Sequence, residues 1–504
     1  MLTGFGVAQT WQRETVDFAA IQSRAKDLAN KPYEAPDSSK LPEWMKALTY
    51  DQYRDIRFNP DIALWSGDES PFRAMFFHPG YLFREPVGIN EFTATHVQRI
   101  RSTDGFFNYG KLVADHGEFP TDCGFAGFKL LASMNNPSVI DEMIVLQGAS
   151  YWRALGKGQR YGISSRGLAV DTGVEGGEEE FPLFREFWLG KPAKGDTAAI
   201  FYALLDGPSY CGAYAFRVEP GADTMVTVNA VLFARKAVRR LGIAPMSSMF
   251  WFGENSRRRF DDYRPEVHDS DGLVIRTGSG ERIWRPLVND TGRLEFSFFK
   301  MDKCEGFGLL QRDRRFAAFE DGEADYHLRP SLWIEPVSDW GAGRVVLMEI
   351  PTENELSDNV VALWEPATTP QPGDRVEFSY RQHWTMADNP SQAAARVVAT
   401  RTGVHKWQPE QRTVIVEFAG DALEKLDDKQ PEPLVEMLGE AAAKAKIQGV
   451  AVQRMEPGHW RLAFQVAPAA EGGKLADVGP LELRASLKHG DDFLTETWSY
   501  RIIP

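Results

Sequence analysis

The first apolar residues to recur at helical spacing are Phe18, Ile21, Ala25 and Leu28, so 16–28 is expected to form an amphipathic helix, stopped by Asn30 and Pro32. Pro42 suits the first turn of a second short helix over 41–47. From about residue 56 the period changes. Short apolar or alternating runs at 73–78, 127–132, 198–205, 224–233, 294–299 and 344–350 are separated by Gly, Pro, Asn and Asp, the pattern of strands joined by turns and loops. Too few helical stretches lie between them for a parallel α/β sheet, so a large antiparallel β-sandwich is expected. After the strand-like 376–385, the small and polar 386–396 reads as a linker. Further runs at 413–418, 460–466, 481–487 and 495–503 suit an immunoglobulin-like β-sandwich, interrupted by a helix near 433–446. The expected order is a trimmed signal remnant or disordered start at 1–14, a functional β-sandwich at 15–385, the linker at 386–396, and the second sandwich at 397–504.

A length of 504 residues agrees with more than one core. No apolar run reaches the roughly 18 residues of a membrane span. The opening apolar stretch is also too short for a whole secretory core. Counts of 57 basic and 71 acidic residues give a formal charge of −14, which disfavours nucleic acid and anionic lipid as partners. The three arginines at 257–259 are followed at once by Asp261 and Asp262, so they read as a salt-bridged loop. Cys123, Cys211 and Cys304 have no metal-ligand spacing and allow one disulfide at most; buried thiols are the expectation.

The usual catalytic signatures do not occur. Gly156, Gly158 and Gly162 miss the dinucleotide fingerprint by one residue and sit in no βαβ pattern. Asp269, Asp271 and Gly272 hint at a calcium loop, but its twelfth position is Gly280, where a bidentate carboxylate is required. His268 has no partner at ligand spacing and reads as structural; no metal and no cofactor are assigned. What remains is carboxylates and arginines among 14 Trp, 14 Tyr and 32 Phe. Aromatic faces pack on sugar rings, polar groups hold the hydroxyls, and glycosidic hydrolysis uses two carboxyl groups.

Several long segments carry a more specific signal. They are LQGASYWRALGKGQRYGISSRGLAVDT at 146–172, FPLFREFWL at 181–189, YRPEVHDSDGL at 263–273 and IWRPL at 283–287. With them go GFGLLQRDR at 306–314, LRPSLWIEP at 328–336, EIPTENELSDNVVALWEP at 349–366 and ETWSY at 496–500. In this order they resemble the periplasmic glucan biosynthesis proteins G and D over about 17–500, most weakly between 397 and 466. The opening, with Leu41-Pro42 and YDQYRDIR at 50–57, looks nearer the D branch.

The resemblance implies a galactose-mutarotase-like, carbohydrate-binding β-sandwich followed by an immunoglobulin-like domain, exported to the periplasm. It implies linear β-1,2-glucan as partner, cleaved endo with inversion or transferred between chains. By position in the motifs, it makes Asp358 of Ser357-Asp358-Asn359 the general acid and Asp269 the general base. Asp358 would then need to hold a proton that Asp269 does not. Glu355, Tyr326 and Arg329 are candidate sugar-binding or orienting residues, and Trp251, Trp284 and Trp364 candidate stacking platforms. A non-catalytic glucan-binding or assembly factor is the rival reading, and an epimerase rests on fold analogy alone. A homodimer is left open.

Overall fold

The computed structural model describes residues 15–67, 69–256, 260–289, 292–387, 394–426 and 429–502. The expectations for 1–14, for the arginine run at 257–259 and for the middle of the linker, 388–393, lie outside the described residues. The fold is mainly β, built of antiparallel sheets in sandwich arrangement. Among the described residues no helix is long and apolar enough to cross a membrane. By internal contacts the chain divides into two compact units.

The first unit comprises residues up to 245 with Pro336–Trp340 and Leu363–Trp384. One of its sheets runs in the order Arg375–Thr385, Thr224–Ala234, Tyr210–Glu219, Ala199–Asp206, Leu183–Gly190, Gly88–Phe92 and Val97–Ile100. Only the pairing of Leu183–Gly190 with Gly88–Phe92 is parallel. A second sheet takes Phe72–Phe77, Gly127–Ala132, Asp141–Gln147, Tyr151–Ala154 and Ser164–Arg166. Aromatic rings close the space between the sheets, with Phe128 5.0 Å from Phe187 and Trp152 5.3 Å from Phe216. The expected first helix forms over Phe18–Ala29, capped by Asp17, whose carboxylate accepts from Ala20 N at 2.8 Å. Its buried Ile21 and Ala25 pack on Trp188, Leu204 and Val231, which covers the outer face of the first sheet.

The second unit comprises Met246–Glu335, Gly341–Ala362 and residues from 385 onward. Its larger sheet contains Glu432–Leu438, Leu481–His489, Thr497–Ile502, Arg282–Pro286, Gly272–Thr277, Cys304–Leu310 and Ser331–Pro336, in that order. A four-stranded sheet, Arg396–Val404, Arg412–Ala419, His459–Pro468 and Ala445–Glu456, packs against it. Leu481, Leu483 and Leu487 alternate inward with Val414, Val416, Leu462 and Phe464 opposite. Each buried side chain contributes roughly 1.5–3 kcal/mol over its exposed state. Val274, Trp284, Leu310 and Trp333 belong to this same core. The strands that lead into the motif-bearing loops are therefore anchored in a large apolar cluster.

Two helix expectations are corrected. Residues 433–446 form no α-helix: Glu432–Leu438 pairs along Leu481–His489 as a strand, and Gly439 turns the chain at φ 82°. Cross-strand pairing outcompetes the helical propensity of EAAAK, which keeps one 3₁₀ turn at Glu440–Lys444. The second helix is only Glu43–Lys46, with Pro42 before it as the extended N-cap. Cys123, Cys211 and Cys304 are buried free thiols, and burial pushes Cys211 and Cys304 up to about 12.

Candidate functional site

The motif residues of the second unit are brought together by a short hairpin and one long loop. Phe250–Phe252 pairs antiparallel with Val267–His268. The chain leaves that pairing through Asp269, whose N–H donates to Met249 O at 2.8 Å. Asp269 is 3% exposed, and its Oδ1 accepts from Arg329 Nη1 at 2.5 Å. A buried carboxylate needs such a partner to stay ionised. The Arg329 guanidinium lies 4.3 Å from the centre of the Tyr326 ring.

Tyr326 is almost fully buried and donates its hydroxyl to Glu355 Oε2 at 2.7 Å. Burial, and then the Glu355 carboxylate, raise the Tyr326 phenol far above its ordinary range, so it remains a donor. The same Glu355 oxygen accepts from Arg264 Nη1 at 2.7 Å. Asp269, Arg329, Tyr326, Glu355 and Arg264 thus form one chain of contacts, polar at every step but the packing of Arg329 on the Tyr326 ring.

Glu355 lies in the irregular stretch 351–359, which holds its shape through side-chain clamps rather than strand pairing. Near its start, Asn289 donates to Thr352 O at 2.9 Å and accepts from Thr352 N at 3.1 Å. At its end, Asn359 is 2% exposed. Its Oδ1 accepts from Phe250 N at 2.8 Å, while Nδ2 donates to Phe250 O at 3.0 Å and Ile350 O at 2.9 Å. Asp358 stands exposed between the Glu355 and Asn359 anchors. Four of the candidate residues, Asp269, Tyr326, Arg329 and Glu355, therefore meet in one network, with Asp358 on the loop that network holds.

The three tryptophans separate. Trp251 is half-buried beside the network, 5.9 Å from the Arg264 guanidinium. Trp284 is 4% exposed, with the Arg312 guanidinium 3.6 Å above its ring, in the core of the second unit. Trp364 belongs to the first unit, is fully buried against Trp340, and presents no face to a sugar.

Behind Asp269 lies a second polar cluster. Spacing gave His268 no partner, but the fold sets Glu266 and Asp271 beside it, with potential ligand atoms of all three within 4.8 Å. Gln311 Nε2 donates to His268 O at 3.1 Å, so its Oε1 faces His268 Nδ1 at 2.8 Å and Nδ1 carries a proton. His268 Nε2 then approaches Glu266 Oε2 at 2.7 Å and Asp271 Oδ1 at 3.3 Å. Burial alone would lower the imidazole, but Asp271 and Glu266 push it up to about 9. A proton on Nε2 accounts for the geometry, and among the described residues these three side chains are also placed to hold a divalent ion.

Glu266 and Asp271 also line a cavity of about 280 Å³ with Glu254, Trp284 and Arg312. Burial raises Glu254 to about 7. Neither Asp269, Glu355 nor Asp358 lines this cavity. The functional reading rests on the network, because the cavity's Asp271 is already committed to Arg312 N at 2.5 Å and Asp313 N at 3.0 Å.

Sequence reasoning passed over Arg264 and Asn359. Both stand inside the motifs that were singled out, Arg264 in YRPEVHDSDGL and Asn359 directly after Asp358. Only the fold reveals that one gathers three carboxylates and the other brackets a peptide of the hairpin.

Fold and site together define a β-sandwich protein with an acid–arginine–tyrosine network on the loops of one unit. Residues 16–502 match the family described as "Periplasmic glucan biosynthesis protein, MdoG", and the chain belongs to that family. It is 44% identical to glucans biosynthesis protein G of Ralstonia nicotianae over 494 residues, covering 96% of this chain and 95% of the relative. It is 42% identical to the protein of that name from Dickeya dadantii, covering 96% of this chain and 92% of the relative. A Rhodopseudomonas palustris protein of the same name is 43% identical, with 96% and 93% covered. These relatives carry the G name, and the nearness to the D branch read from 41–57 finds no support in them.

Proposed function

We propose that the protein acts in the periplasm on linear β-1,2-glucan, cleaving it endo with inversion or transferring it between chains, with Asp358 as general acid and Asp269 as general base. The observation that carries this reading is the chain from Asp269 through Arg329 and Tyr326 to Glu355, three residues before Asp358. The Arg329 guanidinium holds the Asp269 carboxylate in place through a charge-assisted hydrogen bond of 2.5 Å. Asp358 is exposed, and its loop is fixed on either side by Glu355 and Asn359. In an inverting reaction the acid protonates that oxygen while the base activates water, or a sugar hydroxyl, on the far side of the ring. The sugar chain would lie over the loops near Trp251.

Incubation with linear β-1,2-glucan, with products resolved by size and anomeric form, tests the reading. Shortened or re-sized chains with an inverted first-formed anomer are expected, and β-1,3- and β-1,4-glucans should stay intact. Equal turnover of a β-1,4 chain overturns the substrate assignment. Tight binding of β-1,2-glucan without any change in its size would instead favour the assembly-factor reading.

A further inference from the structure

Arg264 takes no part in the chemistry proposed above, yet it is the most heavily committed cation of the site. Its side chain is 10% exposed and meets three carboxylates. Nε and Nη2 donate to the two oxygens of Asp262 at 3.0 and 2.9 Å. Nη1 donates both to Asp321 Oδ2 at 2.8 Å and to Glu355 Oε2 at 2.7 Å. Two of these partners, Asp321 and Glu355, lie in separate stretches of chain, and each leads to a different aspartate.

One route passes through Glu355 into the loop that carries Asp358. The other passes through Asp321, whose Oδ1 accepts from Glu323 N at 2.9 Å and Ala324 N at 2.8 Å and so fixes that turn. Ala324 O accepts from Arg329 Nε at 3.1 Å, and Arg329 Nη1 holds Asp269. Tyr326 joins the two routes between Glu355 and Arg329, which closes a ring that begins and ends at Arg264. Burial opposes ionisation of Asp321, but the Ala324 N–H and Arg264 outweigh it and hold its carboxyl below the usual range.

We propose that Arg264 is a positioning residue that fixes the loop bearing Asp358 relative to the base Asp269. The proposal rests on the glucan-cleaving reading for its catalytic meaning and on the ring of contacts for its structural one. Only a planar fork can serve Asp262, Asp321 and Glu355 together; an ammonium keeps the charge but not the geometry. A shift of about 1 Å between two groups that must act on one bond can cost about 10²-fold in rate.

The experiment compares wild type, R264K, E355Q and the double variant R264K/E355Q on linear β-1,2-glucan, with hydrogen exchange measured on each protein. R264K is expected to lose about 10²-fold in kcat while KM stays within about threefold. In the E355Q background the same change should cost well under tenfold, because one relay is already broken. Amide exchange should rise in 351–358 and 321–329 and stay unchanged in 481–502. R264K with more than half of wild-type kcat overturns the proposal, as does unchanged exchange in both loops. Equal losses of kcat in the two backgrounds also contradict it. If wild type does not act on β-1,2-glucan, the glucanase reading fails, and the exchange pattern alone decides whether Arg264 holds the two loops.

Discussion

Asn359 brackets the peptide of Phe250, accepting its N–H at 2.8 Å and donating to its carbonyl oxygen at 3.0 Å. The contact mimics one rung of a β-ladder with a side chain. It ties the residue after Asp358 to the strand whose partner runs into Asp269. Asn359→Ala would leave the buried N–H and carbonyl of Phe250 without this partner, each worth roughly 1–3 kcal/mol. Urea denaturation should show a loss of at least about 2 kcal/mol. A variant as stable as wild type would show that the bracket carries no load.

The cluster of His268, Glu266 and Asp271 gives a pH dependence with a definite sign. The folded imidazole sits at about 9, above its ordinary value of 6.5. Its contribution is therefore complete below about pH 6.5 and is lost as the pH rises through 9. Denaturation midpoints measured from pH 6 to 10 should fall across that window, and His268→Gln should flatten the fall. The same slope in wild type and variant would place the titration elsewhere.

Chelation separates the proton account of this cluster from a metal account. Turnover should be unchanged after dialysis against a chelator, because a proton on Nε2 already satisfies Glu266 and Asp271. Activity that vanishes and returns with a divalent ion would place that ion on these three side chains and count against a mechanism run by two carboxylates alone.

Asp271 stands two residues from Asp269 but has a different task. Its Oδ2 receives the N–H groups of Arg312 and Asp313, and its Oδ1 faces His268. Asp271→Asn should lower the melting temperature by several degrees and leave most of the turnover, since no reacting atom is assigned to it. A loss of turnover as deep as that of Asp269→Asn would show that the two acids are not separable.

The strands were legible where burial alternates, as in Leu481–His489, and the first helix where Phe18, Ile21 and Ala25 recur at its period. The strand at Glu432–Leu438 was hidden because its stability comes from a partner fifty residues away, which local propensity does not report. Asp269, Arg329 and Glu355 could be picked out through their motifs and Tyr326 just ahead of one, yet their convergence could not, since contacts across sixty residues depend on the sheet register. Trp364 shows the opposite failure: a tryptophan in a motif does not reveal whether its faces are covered, and this one is fully buried.

The central claim is that Asp269 and Asp358 carry the chemistry, and paired amide substitutions test it most directly. Asn keeps the shape of Asp but neither gives up nor takes a proton in the working range, and general acid–base catalysis contributes about 10²–10⁴-fold per group. Initial rates on linear β-1,2-glucan should fall by at least about 10²-fold in Asp269→Asn and in Asp358→Asn, while glucan affinity stays near wild type. Either variant retaining more than about a tenth of wild-type turnover would contradict the assignment of that residue.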